Sequence, residues 1–313
     1  MYEGLLFIAV GVVGLLLPLS AAYRGRLVRT IAEQAQVRVP TEQAAALEAR
    51  ETRRALAGGV GVVVAGVILV VLSLAGVDLA MFEGWFSFAL MLTVASACLA
   101  VVEILRPGAP TDGPRFARLS SPVVGDYLSP KVLLGVAGVV ALAVVVTAAS
   151  LLLGRTPWFD AQVLRSSPLP LLAVALPVLA GLGWWAVQRL LDAPQPARDE
   201  TELYWQDAVR SSTITTLAVP PAVIAVLGLL ASGDVLDEAA YVAAARSGSV
   251  GPDWTGALLV MGYAAPFVLL LALILLSTRW FGGSSIAHMR DRLWGGRVPG
   301  ASGAEALPGD GRG

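Results

Sequence analysis

Apolar residues in this chain come in long unbroken runs separated by short polar segments. A bilayer core about 30 Å thick takes about 20 residues of helix. Seven windows meet that length: 4–22, 56–77, 84–105, 132–154, 169–188, 213–232 and 254–277. None alternates apolar and polar positions as a barrel strand facing a wet lumen does. Backbone groups in lipid must bond within their own segment, so helices are the expectation. The pattern predicts an all-α integral membrane protein, a seven-transmembrane-helix bundle formed as one domain over 1–281, with a tail at 282–313.

Composition agrees. Of 313 residues, 56% are hydrophobic and 14% charged, against about 45–50% and about 25% in soluble domains. The mean hydropathy is +0.73. This excludes a soluble enzyme and a disordered chain. A formal net charge of −1 excludes nucleic acid as a partner on overall charge. Cys98 is the only cysteine, so no disulfide forms within the chain.

Charge placement predicts orientation. Nineteen of the 22 basic residues fall in segments 23–55, 106–131, 189–212 and the stretch after Ser277; the other three are Arg155, Arg165 and Arg246. Basic residues concentrate on the cytoplasmic side. The N-terminus is therefore expected outside and the C-terminus inside, in a bacterial cytoplasmic membrane. The first run resembles a signal peptide in length, but Met1-Tyr2-Glu3 lacks the positive start such a peptide needs. An uncleaved anchor is the expectation.

The inner segments carry local signals. Thr41 is a candidate N-cap for an alanine-rich helix expected to run unbroken into the second span. Asp199 and Glu202 have the spacing of a capping box. Residues 285–294 predict a short amphipathic helix stopped by Gly295-Gly296, with disorder expected from Pro299 onward. The stretch Pro114-Arg115-Phe116-Ala117-Arg118-Leu119 is followed by Gly125-Asp126-Tyr127-Leu128-Ser129-Pro130. This pattern, with Leu203-Tyr204-Trp205-Gln206-Asp207-Ala208-Val209-Arg210-Ser211-Ser212, resembles uncharacterised multi-pass membrane proteins of GC-rich Gram-positive bacteria. The resemblance covers under a tenth of the chain. It implies a shared architecture and transfers no functional residue.

Candidate chemistry is sparse. Glu103 is the only acidic residue inside a predicted span, three positions before Arg106 and near the inner interface. A carboxylate there either reaches headgroup water or pairs with Arg106 or a neighbouring helix end, or else relays protons. His288 is the only histidine, and no His/Cys metal cluster, catalytic triad or phosphate-binding loop is encoded. No cofactor is expected, and the chain is read as no enzyme. Helix breakers are more suggestive. Pro177, Pro220, Pro221 and Pro266 lie inside predicted spans, where proline frees carbonyls that need a partner or a cavity. A path between helices five to seven would use these prolines, with Thr216 and Tyr263 as its nearest polar groups.

Two functions compete. One is a non-catalytic scaffold, regulator or partner subunit, with segments 23–55, 106–131 and 189–212 contacting a cytoplasmic protein. The alternative is a transporter or permease-type subunit, driven by a separate ATPase. The lipid bilayer is a partner in both, and the oligomeric state is open.

Overall fold

Apolar runs of this length satisfy their backbone internally, and helix is the architecture found. The computed structural model describes residues 2–35, 39, 41–75, 85–105, 122–193, 195, 197, 199–262, 264, 268 and 285–299. In chain order these form α1 (Tyr2–Leu16), a 3-10 turn (Leu17–Leu19), α2 (Ala21–Ala35), α3 (Thr41–Leu74) and α4 (Trp85–Leu105). Then come α5 (Val124–Tyr127), α6 (Pro130–Leu153), α7 (Ala161–Ser166), α8 (Leu169–Asp192) and α9 (Glu200–Ser247). A helical stretch α10 (253–262) and α11 (Ser285–Trp294) follow.

Among the described residues, six helices are long and apolar enough to cross a membrane. They are Tyr2–Leu19, Ala44–Leu74, Phe86–Leu105, Pro130–Leu153, Leu169–Asp192 and Glu200–Ser247. Most of the seventh window lies outside the described residues. The bundle surface is itself apolar: Leu134, Val145 and Val174 are 73%, 64% and 64% exposed. Such surface suits hydrocarbon and not water.

The first span stops at Leu19, short of the expected Ala22. Pro18 sits in the 3-10 turn, and Ser20 is extended. The Arg24 guanidinium donates to the Pro18 and Leu19 carbonyls at 3.1 and 3.0 Å, satisfying the helix end. Arg24 also pairs with Glu48 of α3 at 2.6 Å, so α2 continues as a separate helix along α3.

Small residues set how closely α1, α3 and α4 approach. A side-chain carbon added at Gly66 would lie 2.7 Å from the Gly4 carbonyl oxygen and 2.8 Å from the Ile8 nitrogen. One added at Gly11 would lie 2.7 Å from the Val63 nitrogen. Gly61 faces the backbone of Ala95 in α4 in the same way. Backbone-to-backbone approach through glycine is how membrane helices pack closely.

The two longest helices overshoot the bilayer. At 1.5 Å per residue, α3 spans about 51 Å and α9 about 72 Å, against a core about 30 Å thick. The alanine-rich segment and the second predicted span are one helix, α3. The sixth span likewise merges with both flanking segments into α9. Its start is capped by Asp199, whose side chain accepts the Glu202 N–H at 2.7 Å. Its far end is closed by Gly248 at φ 69°, a conformation glycine adopts freely. The expected outer loop after 232 is therefore helical as far as Ser247. Its alanine content explains why.

Helix α9 is the axis of the fold, packing against α4, α6, α7, α8 and α11 and touching α2 and α5. At the arginine-rich end, α2, α5, α11, the start of α9 and the end of α8 enclose one apolar core. It includes Ile31, Tyr127, Leu190, Tyr204, Ile286 and Met289. The bundle thus ends in a small folded cap.

Candidate functional site

The cap is organised around one carboxylate. Asp207 is fully buried on α9. It accepts the Tyr127 hydroxyl at 2.9 Å, the Gln195 amide at 3.3 Å and the Trp294 indole N–H at 3.0 Å. These donors come from α5, the chain before α9, and α11. One turn on, Arg210 is 5% exposed. It donates to the Ala193 carbonyl at 2.6 Å and the Leu191 carbonyl at 3.5 Å, closing the C-terminal end of α8. Asp207 and Arg210 also attract one another. The Tyr204 hydroxyl donates to the Ala35 carbonyl at 3.0 Å, fastening the end of α2. The Tyr204 ring meets Trp294 edge-on, with centroids 5.4 Å apart.

Helix α11 has the bounds read from the sequence, and Gly295 and Gly296 end it at φ 58° and 76°. Its Ile286 and Met289 are buried in the cap core. The His288 Nε2 lies 2.9 Å from the Gly125 carbonyl. A carbonyl only accepts, so Nε2 carries the proton in this contact. The two quoted patterns, around Tyr127 and around Asp207, are thereby joined to each other and to the tail.

Beside the cap, Glu103 is 4% exposed and engages two cations of α3. Arg50 reaches it at 2.6 Å and Arg54 at 3.6 Å. Arg54 also pairs with Glu51 at 3.1 Å. Both cations lie within α3 and not at a helix end, and Arg106 lies outside the described residues. Four charged groups in one network hold α3 to α4.

The proline positions part company. Pro177 is exposed on α8, turned away from its neighbours. Thr216 is exposed too, and its hydroxyl donates to the Ser212 carbonyl at 2.9 Å. Tyr263 and Pro266 lie outside the described residues. Pro220 and Pro221 line a cleft of about 230 Å³ between α4, α8 and α9. These correspond to the third, fifth and sixth predicted spans; most of the seventh lies outside the described residues. Among the described residues the cleft wall is apolar apart from Thr93, Ser96 and the indole of Trp185.

At the opposite end of the bundle, Asp160 caps α7 by accepting the Gln162 and Val163 N–H groups, each at 2.9 Å. It also pairs with Arg246 at the end of α9. The Val163 N–H, with the Arg246 charge, holds its carboxyl below the usual range.

Among the described residues no group of three or more His, Cys, Asp or Glu side chains is placed to hold a metal. Sequence reasoning did not single out Asp207, Tyr127, Arg210 or Trp294. The available signal was an acidic residue in an otherwise apolar stripe of α9. Comparison with family models, curated proteins and solved structures gives no match.

Proposed function

We propose that the chain is a non-catalytic integral membrane protein of the bacterial cytoplasmic membrane, acting as a scaffold, regulator or partner subunit of a membrane complex. In this reading seven helices span the bilayer, the N-terminus is outside and the arginine-rich cap is cytoplasmic. One observation carries it. The segments at the arginine-rich end are knitted into a folded cap around Asp207 by hydrogen bonds from Tyr127, Gln195 and Trp294. Exposed Arg26, Arg29 and Arg189 are left on its surface. A cap of this kind presents a fixed surface to a cytoplasmic protein.

The second reading is a permease-type subunit. The observation behind it is the cleft at Pro220 and Pro221.

Photo-crosslinking side chains placed at positions 26, 29 and 189, with Val145 and Val174 as lipid-facing controls, separate the two. A single discrete adduct from the cap positions, absent from the controls, supports the scaffold. A stoichiometric ATPase in that adduct favours the permease. Absence of any adduct, together with solute flux in proteoliposomes, overturns the scaffold reading.

A further inference from the structure

The cleft between α4, α8 and α9 contains an acceptor that the fold leaves without its usual donor. In a helix the carbonyl of residue 217 is bonded by the N–H of residue 221, but residue 221 is proline and has none. Leu217 and Pro221 both line the cleft. A side-chain carbon at Gly183, on the facing wall, would lie 3.7 Å from the Leu217 oxygen and 3.7 Å from the Pro221 ring. The absence of that side chain keeps the space open beside the carbonyl. A carbonyl freed in hydrocarbon calls for a donor. The Thr93 hydroxyl, on the cleft wall, is already given to the Ala89 carbonyl at 2.8 Å. Ser96 and the Trp185 indole are the other polar groups among the described lining residues, and no hydrogen bond joins either to the Leu217 carbonyl there.

We propose that this cleft binds a neutral membrane-soluble amphiphile of the long-chain alcohol class, its hydroxyl donating to the Leu217 carbonyl and its chain lying along the apolar wall. Three features select that chemistry. Among the described residues no charged one lines the cleft, so an ammonium finds no counter-ion there, and a carboxylate or phosphate meets an acceptor of like polarity. An acyl chain offers no donor to the carbonyl. Entry is from the side, because Ala97, Val101, Leu182 and Trp185 line the cleft and are exposed on the bundle surface. This inference is independent of the scaffold reading.

The test uses the full chain in phosphatidylcholine nanodiscs. The probes are hexadecanol bearing a mid-chain diazirine and the methyl ether of the same molecule, with adducts mapped by peptide mass spectrometry. The expected result is labelling of α4 and α9 around the cleft by the alcohol, suppressed by unlabelled hexadecanol. The ether should label about fivefold less, the worth of one net hydrogen bond. Gly183→Leu fills the space and abolishes both signals. Pro221→Ala returns an N–H to the Leu217 carbonyl and brings the alcohol down to the level of the ether. Equal labelling of wild type by alcohol and ether marks ordinary lipid filling and overturns the proposal. So does an alcohol preference that survives Pro221→Ala, or labelling unchanged by Gly183→Leu. The wild-type comparison stands without either variant.

Discussion

The Trp294 indole donates its N–H to the Asp207 carboxylate at 3.0 Å, across 87 positions of sequence. That bond fastens the last helix described to the central one. Trp294→Phe keeps the ring and its edge contact with Tyr204 but removes the donor. The expected cost is about 1 kcal/mol, and local opening of α11 should rise about fivefold. Limited proteolysis within residues 285–299 measures this. Asp207→Ala removes the acceptor shared by the Tyr127 hydroxyl, the Gln195 amide and the Trp294 N–H, and should cost about 3 kcal/mol or more. Thermal unfolding in detergent checks the second value. A tail equally protected in all three proteins would show that Asp207 does not hold it.

Glu103 is buried against Arg50 and Arg54, and the value of this contact lies in its being complete. Removing one partner of a buried ion pair leaves the other charge exposed to a low-dielectric interior. Glu103→Gln should therefore destabilise by about 3 kcal/mol. The double change Glu103→Gln with Arg54→Gln should recover part of that loss. A double-mutant cycle on the unfolding midpoint reads the coupling directly. Additive losses would mean that the two side chains share a location and little energy.

How much of this was legible in sequence follows from range. Local signals survived folding: the Asp199 cap, the continuous α3 and the bounds of α11 all rest on neighbours a few residues apart. The 3-10 turn at Pro18 was harder, because the helix end is satisfied by Arg24 six residues on. The helical stretch after 232 was missed since its charged residues read as an outer loop, although its alanines favour helix. Long-range chemistry was least visible. Asp207 lies on one buried stripe with Tyr204, Ala208, Ser211 and Ile214, at helical spacing. That marks it as a polar residue needing partners, and nothing local names Tyr127 or Trp294 as those partners. Nor does the sequence carry exposure, which separates Pro177 on the surface of α8 from Pro220 and Pro221 in a cleft.

Glycine positions in the spans should divide sharply by what stands opposite them. Gly66→Ala pushes a methyl group against the Gly4 carbonyl oxygen and the Ile8 nitrogen, at 2.7 and 2.8 Å, and backbone atoms yield poorly. A loss of about 1–3 kcal/mol is expected. Gly138 is also helical and has nothing within 4 Å of the added carbon. Gly138→Ala should be neutral or stabilise by up to about 1 kcal/mol through helix propensity. Unfolding midpoints of the two variants measured side by side decide the matter. Similar shifts would remove α1–α3 close packing as an explanation.

Asp160 gives the end opposite the cap an acid-sensitive fastening. Its carboxylate accepts the Val163 and Gln162 N–H groups and pairs with Arg246, and these contacts lower its pKa from 3.8 in the folded protein. A carboxyl whose folded value is depressed binds protons more readily when unfolded. Its stabilising contribution is therefore complete above the ordinary value and disappears as pH falls through the depressed one. Between pH 8 and 5 the contribution should be constant, and below about pH 4 it should decline. Asp160→Asn keeps an oxygen for the α7 N–H groups but offers Arg246 no charge. The variant should melt at a lower temperature than wild type at pH 7. It should also lose less between pH 5 and pH 3, so the two curves converge in acid. Thermal midpoints recorded across that range provide the measurement. Curves that stay parallel to pH 3 would assign the acid sensitivity to other carboxylates and leave Asp160 a cap without a titrating role.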